Sequence, residues 1–385
     1  MSSTKNRKEQ YLFNIEDYKV IRCIKRGGFG VINLIRNKSN GKEYASKTNL
    51  IQTGTQNKLL VSREIRILIE IQHDTIIQFR GFSYSDFDGK KNVTILMDYM
   101  KNGSLSDLID QEMKSLCPHD YDNTKRQILL VGIARGMMIL HQHHVIHRDL
   151  KPENILLDDD FRPRITDFGL SKFFDPHHSM NQSKINSGTA SYMAPEVINS
   201  DNYNSKADVY AFGIIMYEII AGKRAYNEYF KGKNKLNEFQ LKLKVTQGLR
   251  PNLEEEIKNK NLRKLISKCL SENPKERPTF SELFRKLSLT RDEFFLEFEG
   301  NDTELTLTDD DDEGEEEDVY GEIIDKKYSL DGVDFEELLD YVEEIKSESK
   351  PFKGDVNAKV NNNEEIDKLK SEINELKKIT KNQFD

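Results

Sequence analysis

The sequence predicts an α+β fold in which strands come first and helices dominate later. Three observations carry this. β-Prone runs with glycine turns fill Tyr18 to Met100, whereas long apolar helical stretches fill Ile128 to His143 and Asp208 to Ala221. Between those two helices, Val145 to Gly169 sets polar residues in short loops separated by the apolar runs Val145-Ile146, Ile155-Leu156-Leu157 and Ile165.

In chain order, residues 1–14 read as a disordered lead-in. Tyr18 to Ile35 reads as two strands around Lys25-Arg26-Gly27-Gly28-Phe29-Gly30, where glycines let backbone N–H groups approach an anion closely. Glu43 to Lys47 is a third strand. A helical stretch follows, with Ile65, Leu68, Ile69 and Gln72 on one face and Glu64 beside it. His73 to Met100 reads as strand, turn (Asp86-Phe87-Asp88-Gly89) and strand. Ile128 to His143 is a helix that delivers the chain to His147. Asp208 to Ala221 is apolar nearly all round and should be buried on every side. Leu262, Leu265, Ile266, Cys269 and Leu270 follow helical spacing, which puts Cys269 on a core face.

The loops of Val145 to Gly169 gather Asp149, Lys151, Asn154 and Asp167. Carboxylate and amide oxygens are the hard ligands that Mg²⁺ prefers, a lysine suits phosphate, and a further carboxylate can accept a hydroxyl proton. His147-Arg148-Asp149-Leu150-Lys151-Pro152-Glu153-Asn154, then Asp167-Phe168-Gly169, then Ala194-Pro195-Glu196, resembles the eukaryotic protein kinases in both order and spacing. The resemblance covers roughly residues 18 to 290. It implies a two-lobed kinase fold: a small antiparallel sheet plus one helix over about 15–98, and a mostly helical large lobe over about 103–290.

The resemblance also implies roles. Asp149 would orient the substrate hydroxyl, Lys151 would neutralise the transferring phosphate of ATP, and Asn154 and Asp167 would hold Mg²⁺. Lys47, paired with Glu64, would meet the phosphates. Gly27, Gly28, Phe29, Gly30 and Ile32 would cover the nucleotide, although Lys25 stands at the position of the family's first glycine. Ala45, Met97 (as gatekeeper), Asp98 and Met100 would surround adenine. His147 would prop Phe168, Asp208 would brace the catalytic loop, and Arg277 would pair with Glu196. Arg148 implies switching by a phosphorylated segment, with Ser183 or Ser187 as the phosphate site and Thr189 contacting Asp149 and Lys151. Lys151 and Gly188-Thr189 resemble serine/threonine kinases, while Asp208-Val209-Tyr210-Ala211-Phe212-Gly213 and Asn102-Gly103-Ser104-Leu105 resemble the tyrosine-kinase-like group. Dual specificity and a transfer-dead scaffold that docks partners remain the alternatives. The scaffold predicts damage to Lys47, Asp149, Asn154 or Asp167, and all four are present.

Charge divides the chain. Against a total of −8, residues 291–385 carry −20, which leaves +12 for residues 1–290. No basic stripe interleaved with aromatics accompanies that positive charge, so a nucleic-acid partner is not expected. Three cysteines far apart support neither disulfides nor a zinc site. The polar start and the shortness of the apolar runs lead us to expect a cytoplasmic protein with no membrane span, the nucleus being left open. Residues 291–385 read as an acidic, largely disordered tail. Phe335, Leu338, Leu339, Val342 and Ile345 mark a short amphipathic helix there, and Ile366, Leu369, Ile373 and Leu376 mark two heptads. Protein substrates are the expected partners, with contact of the tail with the domain or with a partner as a further possibility.

Overall fold

Ten strand residues, Tyr18–Gly27 (β1), pair antiparallel with Gly30–Asn37 (β2), and the hairpin closes at Gly27 opposite Gly30. The computed structural model describes residues 10–27, 30–50, 55–173, 189–200, 203–231, 235–288 and 334–346, all within the unit Met1–Lys350. Glu43–Asn49 (β3), Phe79–Ser83 (β4) and Thr94–Asp98 (β5) complete an antiparallel sheet of order β1-β2-β3-β5-β4. Gly30 is required by proximity, because a Cβ there would stand 2.3 Å from the carbonyl oxygen of Thr48 on β3. The helix Thr55–Glu70 (α1) packs on this sheet through Leu68 and its neighbours, with Ile67, Leu68 and Ile71 at most 1% exposed.

Ordered chain begins earlier than the expected lead-in of residues 1–14 allows. Phe13 N–H donates to Phe82 O, Phe82 N–H donates to Tyr11 O, and the Tyr11 ring packs on Phe79. The physical reason is that β4 is an edge strand: Tyr11–Phe13 satisfy its outward backbone groups, which an edge otherwise leaves open.

The large lobe is helical. Gly103 turns with φ +69° into Leu105–Glu112 (α2), which Ser104 and Asp107 cap reciprocally. Asn123–Gln142 (α3), capped by Asp122, is buried along most of its length, and Ile128 to Leu140 form the lobe's centre. Short strands Val145–Ile146 (β6), Ile155–Leu157 (β7), Pro163–Ile165 (β8) and Lys172–Phe173 (β9) follow, pairing β6 with β9 and β7 with β8. These are the apolar runs that frame the polar loops. Pro195–Ser200 (α4) leads to Ser205–Ala221 (α5), whose residues Ala207 to Ile220 are all buried. Gly222 ends α5 in the left-handed region that glycine tolerates. Glu238–Thr246 (α6), Leu253–Glu256 (α7), Lys260–Cys269 (α8) and Phe280–Leu287 (α9) complete the lobe. Cys269 is fully buried on the core face of α8, and burial pushes its thiol up to about 12. The three cysteines are free.

One further helix, Phe335–Lys346 (α10), lies against α3. The acidic run Asp309 to Asp318 and the heptads of 366–376 lie outside the described residues. Among the described residues no helix is long and apolar enough to cross a membrane.

Candidate active site

The site is assembled where the sheet meets the loops between β6 and β9. On β3, Lys47 pairs across to Ile32 of β2 and Ile95 of β5, which aims its side chain from the middle of a three-strand ladder. Its ammonium lies 2.6 Å from Glu64 Oε1 on α1 and 2.8 Å from Asp167 Oδ1. Burial alone would lower the Lys47 pKa, but the two carboxylates outweigh it and hold the ammonium above its usual value. Burial, reinforced by the Asp167 charge, pushes Glu64 up against the opposing pull of Lys47. For Asp167 burial acts upward, and the charge and hydrogen bond of Lys47 more than offset it, leaving the carboxyl below its usual range. Beside Lys47, Ser46 is fully buried and its hydroxyl donates to Asn33 O.

The catalytic-loop residues converge on one carboxylate. Asp208, buried in α5, accepts from His147 N–H and His141 Nε2 through one oxygen and from Arg148 N–H through the other, all at 2.9–3.0 Å. Those bonds fix Arg148 at φ +70°, a strained value for a residue with a side chain. His147 accepts Asp149 N–H on Nδ1, so its Nε2 carries the proton and donates to Thr166 O. The imidazole also meets the Phe168 ring edge-on at 5.5 Å between centroids. Asp167, next to that ring, is held at φ +65°. Both strained residues therefore flank the His147–Phe168 contact.

Asp149 Oδ2 lies 2.8 Å from Lys151 Nζ, and Asn154 Nδ2 donates to Asp149 O and Oδ2. With its nitrogen committed, the Asn154 amide has its oxygen left for a cation, and Asp167 offers a carboxylate. This hard-oxygen pair suits Mg²⁺ and not a thiolate- or imidazole-loving metal. At the hinge side, Met97 is 5% exposed between Ala45 of β3 and Phe79 of β4. Asp98 accepts two hydrogen bonds from Arg80, and Met100 O accepts Gly103 N–H. Gly27 and Gly30 close the β1–β2 hairpin; Ile32 is half-buried and Lys25 is exposed.

Glu196 and Arg277 form a two-pronged ion pair at 2.7 and 2.8 Å, the guanidinium fully buried. Thr189 is half-buried, and its carbonyl accepts Tyr192 N–H. Among the described residues its hydroxyl is bonded to neither Asp149 nor Lys151, which pair with each other. Gly28, Phe29, Ser183 and Ser187 lie outside the described residues.

Three neighbours escaped the sequence reading. His141 braces Asp208. Arg63, beside Glu64 on α1, donates to Ser171 O, and Lys172 follows that serine. Burial and the charges of Arg148 and Arg63 all lower the Lys172 pKa, which places three cations together. A lone arginine on a helix carries no pattern that could have announced this.

Comparison with known proteins agrees with the geometry. Residues 18–287 match the family described as Protein kinase domain. Cysteine-rich receptor-like protein kinase 6 of Arabidopsis thaliana is 32% identical over 71% of this chain and 41% of its own length. The cAMP-dependent protein kinase type 3 of Saccharomyces cerevisiae is 30% identical over 72% of this chain and 68% of its own. A serine/threonine-protein kinase/receptor of Acanthamoeba polyphaga mimivirus is 30% identical over 74% of this chain, which spans 16% of that protein. The chain thus covers less than half of the plant and viral relatives. With the lysine–glutamate–aspartate cluster, the braced loop and the family match in agreement, the chain belongs to the protein kinase family, and residues 18–287 are its kinase domain.

Proposed function

We propose that this chain transfers the γ-phosphate of ATP to serine and threonine hydroxyls of protein substrates, with Mg²⁺ as cofactor. The observation that carries the reading is the convergence of Lys47, Glu64 and Asp167 from three separate parts of the chain on one ion cluster, beside Asp149, Lys151 and Asn154. Lys47, already oriented by Glu64, meets phosphate oxygens without reorganising. Asp149, oriented by Asn154, accepts the hydrogen bond of the incoming hydroxyl, and Lys151 faces the charge that develops on the transferring group. Asn154 and Asp167 would hold Mg²⁺, which would supply positive charge against the phosphates. Incubating the full chain with radiolabelled ATP and a mixed protein substrate tests this. Label on phosphoserine and phosphothreonine is expected; label on phosphotyrosine as well would mean dual specificity, and no label would favour the scaffold.

Regulation by phosphate on Ser183 or Ser187 belongs to the same reading. Its support is the group of Arg63, Arg148 and Lys172, which repel one another and would be relieved by an added dianion. Mass spectrometry should find phosphate there in the wild type and not in Asp149→Asn.

A further inference from the structure

The helix α10 rests on α3 in a seat shaped for it. A Cβ on Gly132 would stand 2.2 Å from the Tyr341 hydroxyl and 2.5 Å from Pro163 Cγ, so only glycine leaves room for the tyrosine. Tyr341, Val342 and Ile345 are at most 3% exposed. The helix is pinned along its whole length. At its start Thr124 Oγ1 accepts Asp334 N–H, and Lys125 pairs with Glu337. Arg162 pairs with Glu344 at 2.9 Å and lies over the Tyr341 ring. At its end one carbonyl, Ile345 O, accepts from both Arg135 Nε and His73 Nε2. The Arg135 cation at the helix C-terminus also suits its dipole. Residues 335–346 carry a net −4 against this basic rim.

His73 links this seat to the cleft. It lies three residues beyond α1, and its Nδ1 accepts Thr75 N–H at 3.0 Å, so the proton is on Nε2, the atom facing Ile345 O. Thr75 O in turn accepts Ile165 N–H, and Ile165 O accepts Ile77 N–H, two residues before Asp167. One imidazole therefore joins α10 to the loop that ends α1 and to the strand that leads to the metal-side aspartate.

We infer that Asp334–Lys346 is a resident docking helix, and that the groove along Thr124, Lys125, Gly132, Arg135 and Arg162 is an interface for an acidic amphipathic helix of the pattern Tyr-Val-x-x-Ile. Its occupant is this chain's own segment, and occupancy steadies the His73–Ile77 loop and, through it, α1 and Glu64. The importance of that last link for catalysis rests on the kinase reading above; the docking itself does not. The test is amide exchange on the full chain, which is independent of activity. Val342→Asp should raise exchange about tenfold in both Thr124–Arg135 and His73–Ile77. A synthetic peptide of residues 334–346 should restore protection to both segments. Unchanged exchange in both segments overturns the docking, and a rise confined to Thr124–Arg135 overturns the coupling to α1. Because Val342→Asp perturbs a buried site, a second pair of variants serves as control: Glu344→Arg should loosen the same segments, and adding Arg162→Glu should restore them. Failure of that rescue, with Glu344→Arg loosened, would overturn the assigned register of the helix in its groove.

Discussion

The Lys47 ammonium lies between Glu64 and Asp167, 2.6 and 2.8 Å from the nearer oxygens, and so ties the sheet, α1 and the metal-side loop at one point. Removing it, as in Lys47→Met, should abolish phosphate transfer, by at least about a hundredfold in initial rate. The variant should also acquire a pH-dependent stability. Without the lysine, Glu64 is buried next to Asp167 with nothing to oppose its upward shift. A carboxyl whose folded pKa exceeds its unfolded one stabilises fully below the unfolded value and loses that contribution as pH rises through the folded one. Melting of Lys47→Met should therefore fall, relative to wild type, from pH 5 to pH 8; parallel curves would refute it.

Asp149→Asn separates chemistry from folding. The amide keeps a partner for Asn154 and loses the charge facing the substrate hydroxyl. Transfer should drop by about 10²–10⁴, with the melting temperature close to wild type. Retained activity would remove Asp149 from the mechanism.

Glu218 supplies a pH signature of the wild-type fold. It accepts Tyr192 O–H and Ala225 N–H deep in the large lobe, and burial lifts its pKa to about 7. Its stabilisation is complete below pH 4 and is lost as pH rises towards 7, by on the order of 3 kcal/mol. Glu218→Gln should flatten that slope in denaturant titrations at pH 5 and pH 7.5.

Arg277 cannot be replaced by another cation. Its two nitrogens meet both Glu196 oxygens, and it also donates to Ser271 O and Lys206 O from a fully buried position. Arg277→Lys keeps charge and loses the fork, so a loss of about 3–5 kcal/mol in unfolding free energy is expected. A loss under about 1 kcal/mol would mean that the pair is dispensable.

Met97, buried between Ala45 of β3 and Phe79 of β4, is the residue we propose to stand behind the nucleotide. ATP-site ligands that need a small side chain there should fail against wild type and inhibit Met97→Ala at least tenfold better, roughly the worth of 1.4 kcal/mol. Equal potency on both proteins would place Met97 away from the nucleotide.

How far the sequence spoke depended on the kind of signal. Apolar spacing announced α3, α5 and α8, since burial on one face or all round leaves a periodic trace. The motifs gave Lys47, Asp149, Asn154 and Asp167 as separate points, and their meeting is a tertiary fact. The ordering of Tyr11–Phe13 was illegible because it depends on β4 being an edge, which no local pattern states. The apolar residues of 335–346 marked a helix, but not where it rests: the seat over Gly132 is made by an absent side chain. Arg63 and Lys172 likewise become neighbours only once β9 returns to α1.

Asp208 grips the catalytic loop from a helix enclosed on every side. A helix so enclosed cannot rotate to follow a misplaced anchor. One alanine inserted between Asp208 and Val209 would swing the carboxylate about 100° around the axis relative to the buried residues that follow, the step of a helix with 3.6 residues per turn. The deep interior of the lobe thus acts as the ruler from which the cleft is measured, and a fault far from any ligand would read out as an enzyme that folds yet cannot aim.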